Sequence, residues 1–145
     1  MFTNNLNFWK NYLIIIGLSL IGFGIYIVFF KNTPAFTLFD NLIDPVFWTN
    51  ETITEGTRNF KGFIYSFSGT YVLLWGINIL FLSKYALSPG NRWAWNCLAL
   101  STLLWFIIMV PFSWYYKVYY NVFGDILFFI LISVPLLKIR KFIFS

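Results

Sequence analysis

The run YLIIIGLSLIGFGIYIVFF, Tyr12 to Phe30, contains no charged residue, and nothing else constrains the fold of this chain as strongly. A helix rises 1.5 Å per residue, so a run of this length crosses a hydrocarbon layer of ~30 Å, for which about 20 apolar residues suffice. Three more runs qualify: GFIYSFSGTYVLLWGINILFLS (Gly62 to Ser83), WAWNCLALSTLLWFIIMVPFSWYY (Trp93 to Tyr116) and the stretch from Val118 to Leu137. A chain of 145 residues that is 59% hydrophobic and only 10% charged cannot hide its apolar surface inside a soluble fold, so its solvent is a bilayer. The first run is long for a signal-peptide core and lacks a small-residue cleavage site, which makes it a membrane helix. The reading is an all-α integral membrane protein, a four-helix transmembrane bundle in a single domain, with spans near 12–30, 62–83, 93–116 and 118–137 and an outer segment 31–61.

Short connections imply antiparallel neighbours. The middle turn carries the Ser-Pro-Gly-Asn break of KYALSPGNR, and little more than Lys117 separates the last two runs. Charge then sets the orientation. Lys10, Lys84, Arg92, Lys138, Arg140 and Lys141 fall on one side with no acidic residue, while Lys31, Arg58, Lys61 and Lys117 share the other with Asp40, Asp44, Glu51, Glu55 and Asp125. By the positive-inside rule both termini are cytoplasmic. The net charge of +5 therefore reflects orientation rather than nucleic-acid binding, for which no basic stripe or RNA-binding motif is present.

In the outer segment, Phe36, Phe39, Leu42 and Ile43 recur at helical spacing. Thr33-Pro34 and Asp44-Pro45 each have the form of an N-cap followed by proline at the first helical position, so two short interfacial helices are expected. Asp40/Asp44 and Glu51/Glu55 are four-apart acidic pairs. Such pairs serve acid–base chemistry, bind a hard cation or simply form a solvated face; the spacing is not that of a calcium loop. Asn50-Glu51-Thr52 fits a glycosylation acceptor, a triplet common by chance.

Within the second span, Gly62, Ser66, Gly69, Leu73, Gly76 and Leu80 alternate in steps of four and three, a seam of mainly small residues. It suits close helix approach, within the chain or between two copies. Asn78 and Asn96 lie about equally far from the centre of the middle turn, so an antiparallel hairpin would set their amides at one depth, bridged as packing glue or lining a polar path. Cys97 beside them reads as a buried, inert thiol.

Asp125 is the acid inside a span. It lies eight residues, about 12 Å, beyond Lys117, below a belt of Tyr115, Tyr116, Tyr119 and Tyr120. Intramembrane acids normally face the bundle interior. With Asn121 one turn earlier, Ser66 and Thr70 in the second span and Arg58 leading into it, Asp125 anchors a candidate ligand pocket; the alternative is a structural ion pair. Pro111, near that level, releases the carbonyl of Ile107.

A basic residue before "WAW", then "LLWF", then "YYNVFGD" opening the last span give residues 90–137 a form that resembles small uncharacterised bacterial four-helix membrane proteins, loosely DoxX-like. The resemblance implies a four-helix bundle, in some members linked to quinone oxidation, and carries over no catalytic set. Quinone-coupled thiol oxidases need cysteine pairs, and sterol isomerases of the emopamil-binding type need histidine; this chain has one cysteine and no histidine. Small multidrug transporters carry a glutamate in the first span, which here is uncharged. Absence of histidine also removes His-based metal sites. Three functions are carried forward: a non-catalytic accessory or scaffold subunit with a membrane partner or as a homo-oligomer in a bacterial inner membrane, a protein binding a quinone or other lipid-soluble molecule at Asp125, and an oligomeric proton-coupled transporter.

Overall fold

Close approach of two backbones organises the molecule. In the computed structural model, which describes residues 2–31, 33–48 and 52–144, helix α1 (Phe2–Phe30) lies against α3 (Glu55–Phe81) along a line of facing glycines. A Cβ added at Gly24 would stand 2.6 Å from the carbonyl oxygen of Gly69, and one at Gly76 would stand 2.7 Å from that of Gly17. Both are far inside van der Waals contact, so only hydrogen fits. Gly17 faces Gly76 and Gly24 faces Gly69, an antiparallel register with a seven-residue repeat on each helix. The small-residue seam of the second span thus pairs within the chain. Gly62 lies at its open end, where the nearest atom to an added Cβ is Cε of Lys31 at 3.9 Å.

The remaining elements follow from local signals. A 3-10 turn (Pro34–Phe36) leads into α2 (Thr37–Phe47), and α3 continues through a π turn (Leu82–Ala86). The chain then reverses over Ser88-Pro89-Gly90-Asn91, where Asn91 N–H donates to the Ser88 carbonyl at 3.0 Å. Gly90 has φ of 84°, the left-handed value that the third position of a type II turn demands, and proline precedes it as that turn prefers. Helices α4 (Arg92–Tyr115) and α5 (Tyr119–Ile143) are joined by a Schellman closure. Lys117 N–H donates to Trp114 O at 3.0 Å and Val118 N–H to Ser113 O at 2.8 Å. Lys117 takes the left-handed position, φ 61°, where glycine is usual.

Among the described residues, four helices are long and apolar enough to cross a membrane: Asn5–Phe30, Glu55–Ala86, Arg92–Tyr115 and Tyr119–Ile143. No strand occurs among the described residues. Leu6 of α1, Leu87 of the α3–α4 connection and Ile143 of α5 share one buried cluster. Both ends of the chain therefore meet at the same end of the bundle, called here the termini end. Gly90 N–H donating to Ile143 O at 3.2 Å pins the turn to α5, and the Trp95 indole donating to Leu136 O at 2.8 Å pins the start of α4 to it. α1 packs on α3 and α5, and α4 on α5. α3 and α4, though consecutive, meet mainly through rings: Trp75 lies 5.0 Å from Trp105 and 6.5 Å from Phe128 of α5.

α2 sits across the opposite end. Phe36, 1% exposed, is wedged among Tyr26, Phe39 and Tyr65 at ring distances of 5.8, 4.8 and 4.9 Å. Phe39 and Ile43 pack on this cluster, while Leu42, expected on the same face, points outward with Leu38. A second interfacial helix starting at Asp44-Pro45 does not form. Pro45 lies in the last turn of α2, and Asp44 is held by an ion pair instead of capping a new helix. The second long helix starts at Glu55, seven residues before the expected Gly62, because Thr54 caps it: the Thr54 hydroxyl accepts from Thr57 N–H at 3.2 Å. Asn50 and Glu51 lie outside the described residues, and with them the glycosylation triplet and the Glu51/Glu55 pair.

Candidate functional site

Polar chemistry concentrates at the α2 end, in an open cleft of about 950 Å³ between the C-terminus of α1, α2 and the first turns of α3. Lys61 anchors one wall. Its ammonium lies 2.9 Å from Asp40 Oδ1 and 2.9 Å from Asp44 Oδ1. The Tyr65 hydroxyl donates to Asp40 at 3.0 Å. The four-apart acids of α2 are thus the receptors for one lysine of α3, which ties the two helices together. They are not a free acid–base or cation pair, and no cluster of three or more metal-ligating side chains occurs among the described residues.

The other wall is cationic. Lys31 follows the last turn of α1 in line with the glycine seam; having no bulky side chain opposite, it reaches across Gly62 to donate to Ser66 Oγ and to Val28 O at 3.2 Å. Arg58 is exposed on the rim and has no acidic partner among the described residues. Ser66 in turn donates to Gly62 O at 3.0 Å, and Thr70 to Ser66 O at 2.8 Å. Phe63 and Ser66 also line a second, apolar groove of about 400 Å³ that runs on along α3 past Phe67, Thr70, Tyr71 and Leu74.

Asp125 belongs to a different place. It is 6% exposed, and its Oδ2 accepts from the Asn121 amide at 3.2 Å and the Ser113 hydroxyl at 3.4 Å; Asn121 also donates to Ser113 at 2.6 Å. All three lie under the Lys117 closure, so the carboxylate clasps the α4–α5 hairpin. The pocket expected from Asp125, Asn121, Ser66, Thr70 and Arg58 is therefore split. Asp125 and Asn121 stay together with Ser113, whereas Ser66 and Arg58 line the α2-end cleft and Thr70 the groove beside it. The physical reason is which faces interlock: α3 packs closely on α1 and meets α4 and α5 through the ring of Trp75, not through Ser66, Thr70 or Arg58. Neither the cleft, the α3 groove nor an apolar groove of about 510 Å³ beside Pro111 includes Asp125.

The expected bridge between Asn78 and Asn96 is absent too. Asn78 is exposed and donates back to Leu74 O of its own helix at 3.1 Å; Asn96 is exposed and has no partner among the described residues. Large rings hold α3 and α4 apart, so the two amides do not meet. Cys97 is exposed rather than buried.

Sequence reasoning did not assign Lys31, Tyr65 or the Lys61 ion pairs to a site, nor Ser113 to the Asp125 cluster. A signal existed for the ion pairs: Asp40 and Asp44 stand four apart, one helical turn, and the next lysine, Lys61, leads into the following helix. No family model, curated protein or solved structure matches the chain, and the DoxX-like resemblance stays an expectation.

Proposed function

We propose that this chain is a non-catalytic integral membrane protein, both termini cytoplasmic, that acts as an accessory or scaffold subunit by docking α3 and α4 against a membrane partner or a further copy of itself, in a bacterial inner membrane. The observation that carries this reading is the outward exposure of Asn78 and Asn96. Asn78 lies six residues before Lys84 and Asn96 four after Arg92, roughly 9 and 6 Å inside the basic residues of the termini end at 1.5 Å per residue. Lipid tails offer an amide no hydrogen-bond partner, and polar side chains in membrane helices ordinarily bond across a helix interface. Among the described residues these two find no hydrogen-bond partner on another helix of their own chain, so a helix of another chain is the natural acceptor.

The Asp125 clasp speaks for the same reading over ligand anchoring or proton coupling. Its carboxylate is occupied by Asn121 and Ser113, and it lines neither the α2-end cleft nor the α3 groove.

The test is gentle-detergent purification of the tagged protein from native membranes, with mass determination of the intact assembly, for the wild type and for Asn78→Leu/Asn96→Leu. A stoichiometric partner or homo-oligomer is expected for the wild type. The double variant should weaken it by about threefold per amide, the size of an average interhelical hydrogen bond in a membrane. A wild-type monomer, or an assembly indifferent to both substitutions, would overturn the proposal.

A further inference from the structure

The cleft at the α2 end and the groove on α3 are two parts of one feature. They share Phe63 and Ser66. The first part is polar and cationic; the second is lined by rings and aliphatic carbon. The groove residues 63, 67, 70, 71 and 74 follow one helix face, and from Ser66 to Leu74 it descends about 12 Å along the span at 1.5 Å per residue. It thus leaves the charged end and runs parallel to a helix that is long and apolar enough to cross a membrane.

Charge in the cleft narrows the occupant further. Lys31, Arg58 and Lys61 contribute three positive charges and Asp40 and Asp44 two negative ones, an excess of one. Lys61 is already shared by both acids. Lys31 and Arg58 have no acidic partner among the described residues and line the cleft that Phe63 and Ser66 share with the groove, with Lys31 bonded to Ser66 itself. One phosphodiester carries one negative charge, offers oxygens to both cations, and in a glycerophospholipid is attached to chains that a groove of this kind accepts.

We infer that the cleft and groove together form a binding site for one anionic glycerophospholipid, its phosphate held by Lys31 and Arg58 and one acyl chain laid along Phe67, Tyr71 and Leu74. Ser66 and Thr37 border the head, and the Lys61–Asp40–Asp44 network holds α2 in place as the wall. The site is independent of the docking reading, whose amides lie toward the opposite end of the bundle.

The measurement is native mass spectrometry of the purified chain in a delipidating detergent, titrated separately with phosphatidylglycerol and phosphatidylcholine. One phosphatidylglycerol should bind at about tenfold lower concentration than phosphatidylcholine, the scale of charge-assisted hydrogen bonds. Lys31→Gln/Arg58→Gln should abolish that preference, while Lys84→Gln/Arg92→Gln at the other end should leave it intact. Thr70→Trp, which fills the groove, should weaken both lipids severalfold. Millimolar glycerol phosphate should not displace the lipid. Equal binding of the two lipids, displacement by glycerol phosphate (a site for a soluble phosphate instead), or indifference to the Lys31/Arg58 change would each overturn the inference. Should that variant fail to fold, a phosphatidylglycerol with a photoreactive acyl chain decides on the wild type: labelling within residues 63–74 supports the site, and labelling spread over α4 and α5 overturns it.

Discussion

Gly24 has no room for a methyl group. The nearest atoms it would meet are the Gly69 carbonyl oxygen and the Leu73 nitrogen at 2.6 Å and Leu73 Cβ at 2.7 Å, and none can turn aside as the far end of a flexible side chain would. Gly24→Ala and Gly76→Ala must therefore push α1 and α3 apart, at a cost of about 1–3 kcal/mol each, the usual range for overpacking. Gly22, two residues away on α1, has nothing within 4 Å of an added Cβ. Gly22→Ala should leave stability within about 0.5 kcal/mol. Equilibrium unfolding in mixed micelles distinguishes them, and equal losses at Gly22 and Gly24 would refute the seam. Half of this contact was legible in the sequence. The four-three spacing of Gly62, Ser66, Gly69, Leu73 and Gly76 identifies a seam, but a seam does not name its partner. Gly17 and Gly24 repeat the seven-residue interval on α1, a match that becomes meaningful only when the two series are read in opposite directions. The amides misled for a related reason: equal distance from a turn brings two side chains to one depth without turning them toward each other.

At the scale of elements, α2 tests how a short helix is held on the end of a bundle. It buries none of its own residues fully; it is fastened by Phe36, just before it, and by Lys61 reaching from α3 to Asp40 and Asp44. The acids are partly exposed, with side-chain accessibilities of 30% and 25%, so solvent screens each pair. Lys61→Met should therefore loosen α2 without releasing it. Amide exchange over 37–47 is expected to quicken about fivefold, equivalent to about 1 kcal/mol for the two pairs together, with no change in the interiors of α1 and α5. Exchange that stays the same in α2 would show the aromatic wedge to be sufficient. The sequence announced one short helix correctly through Thr33-Pro34 and a second wrongly through Asp44-Pro45. Identical local signals diverged because Asp44 found a lysine seventeen positions on, a tertiary contact that no capping rule contains. The same limit explains the divided Asp125 pocket. Position along each long helix was readable from charge and tyrosine spacing, whereas the order of helices around the bundle depends on which faces interlock.

For the whole molecule the decisive property is the uneven distribution of charge between its ends. The termini end carries Lys10, Lys84, Arg92, Lys138, Arg140 and Lys141, six basic residues; the α2 end carries four, Lys31, Arg58, Lys61 and Lys117. Basic residues close to the spans set orientation, and acidic ones contribute little. A bias of six against four is small enough to reverse with one short segment. Changing Lys138, Arg140 and Lys141 to Gln leaves three against four, while the glycine seam and the Asp125 clasp, both remote from these positions, keep the bundle itself intact. The wild type should hold its α2 end outside. A cysteine at exposed Thr52, in a background with Cys97 replaced by Ser, should then react with a membrane-impermeant maleimide in intact cells. The triple Gln variant should lose half or more of that labelling and regain it when the membrane is opened. Protection of Thr52→Cys in the otherwise wild-type chain would invert the orientation. The lipid site would then face the cytoplasmic leaflet, where anionic headgroups are also at hand. The docking amides would be unaffected, since they depend on depth in the bilayer and not on its sidedness.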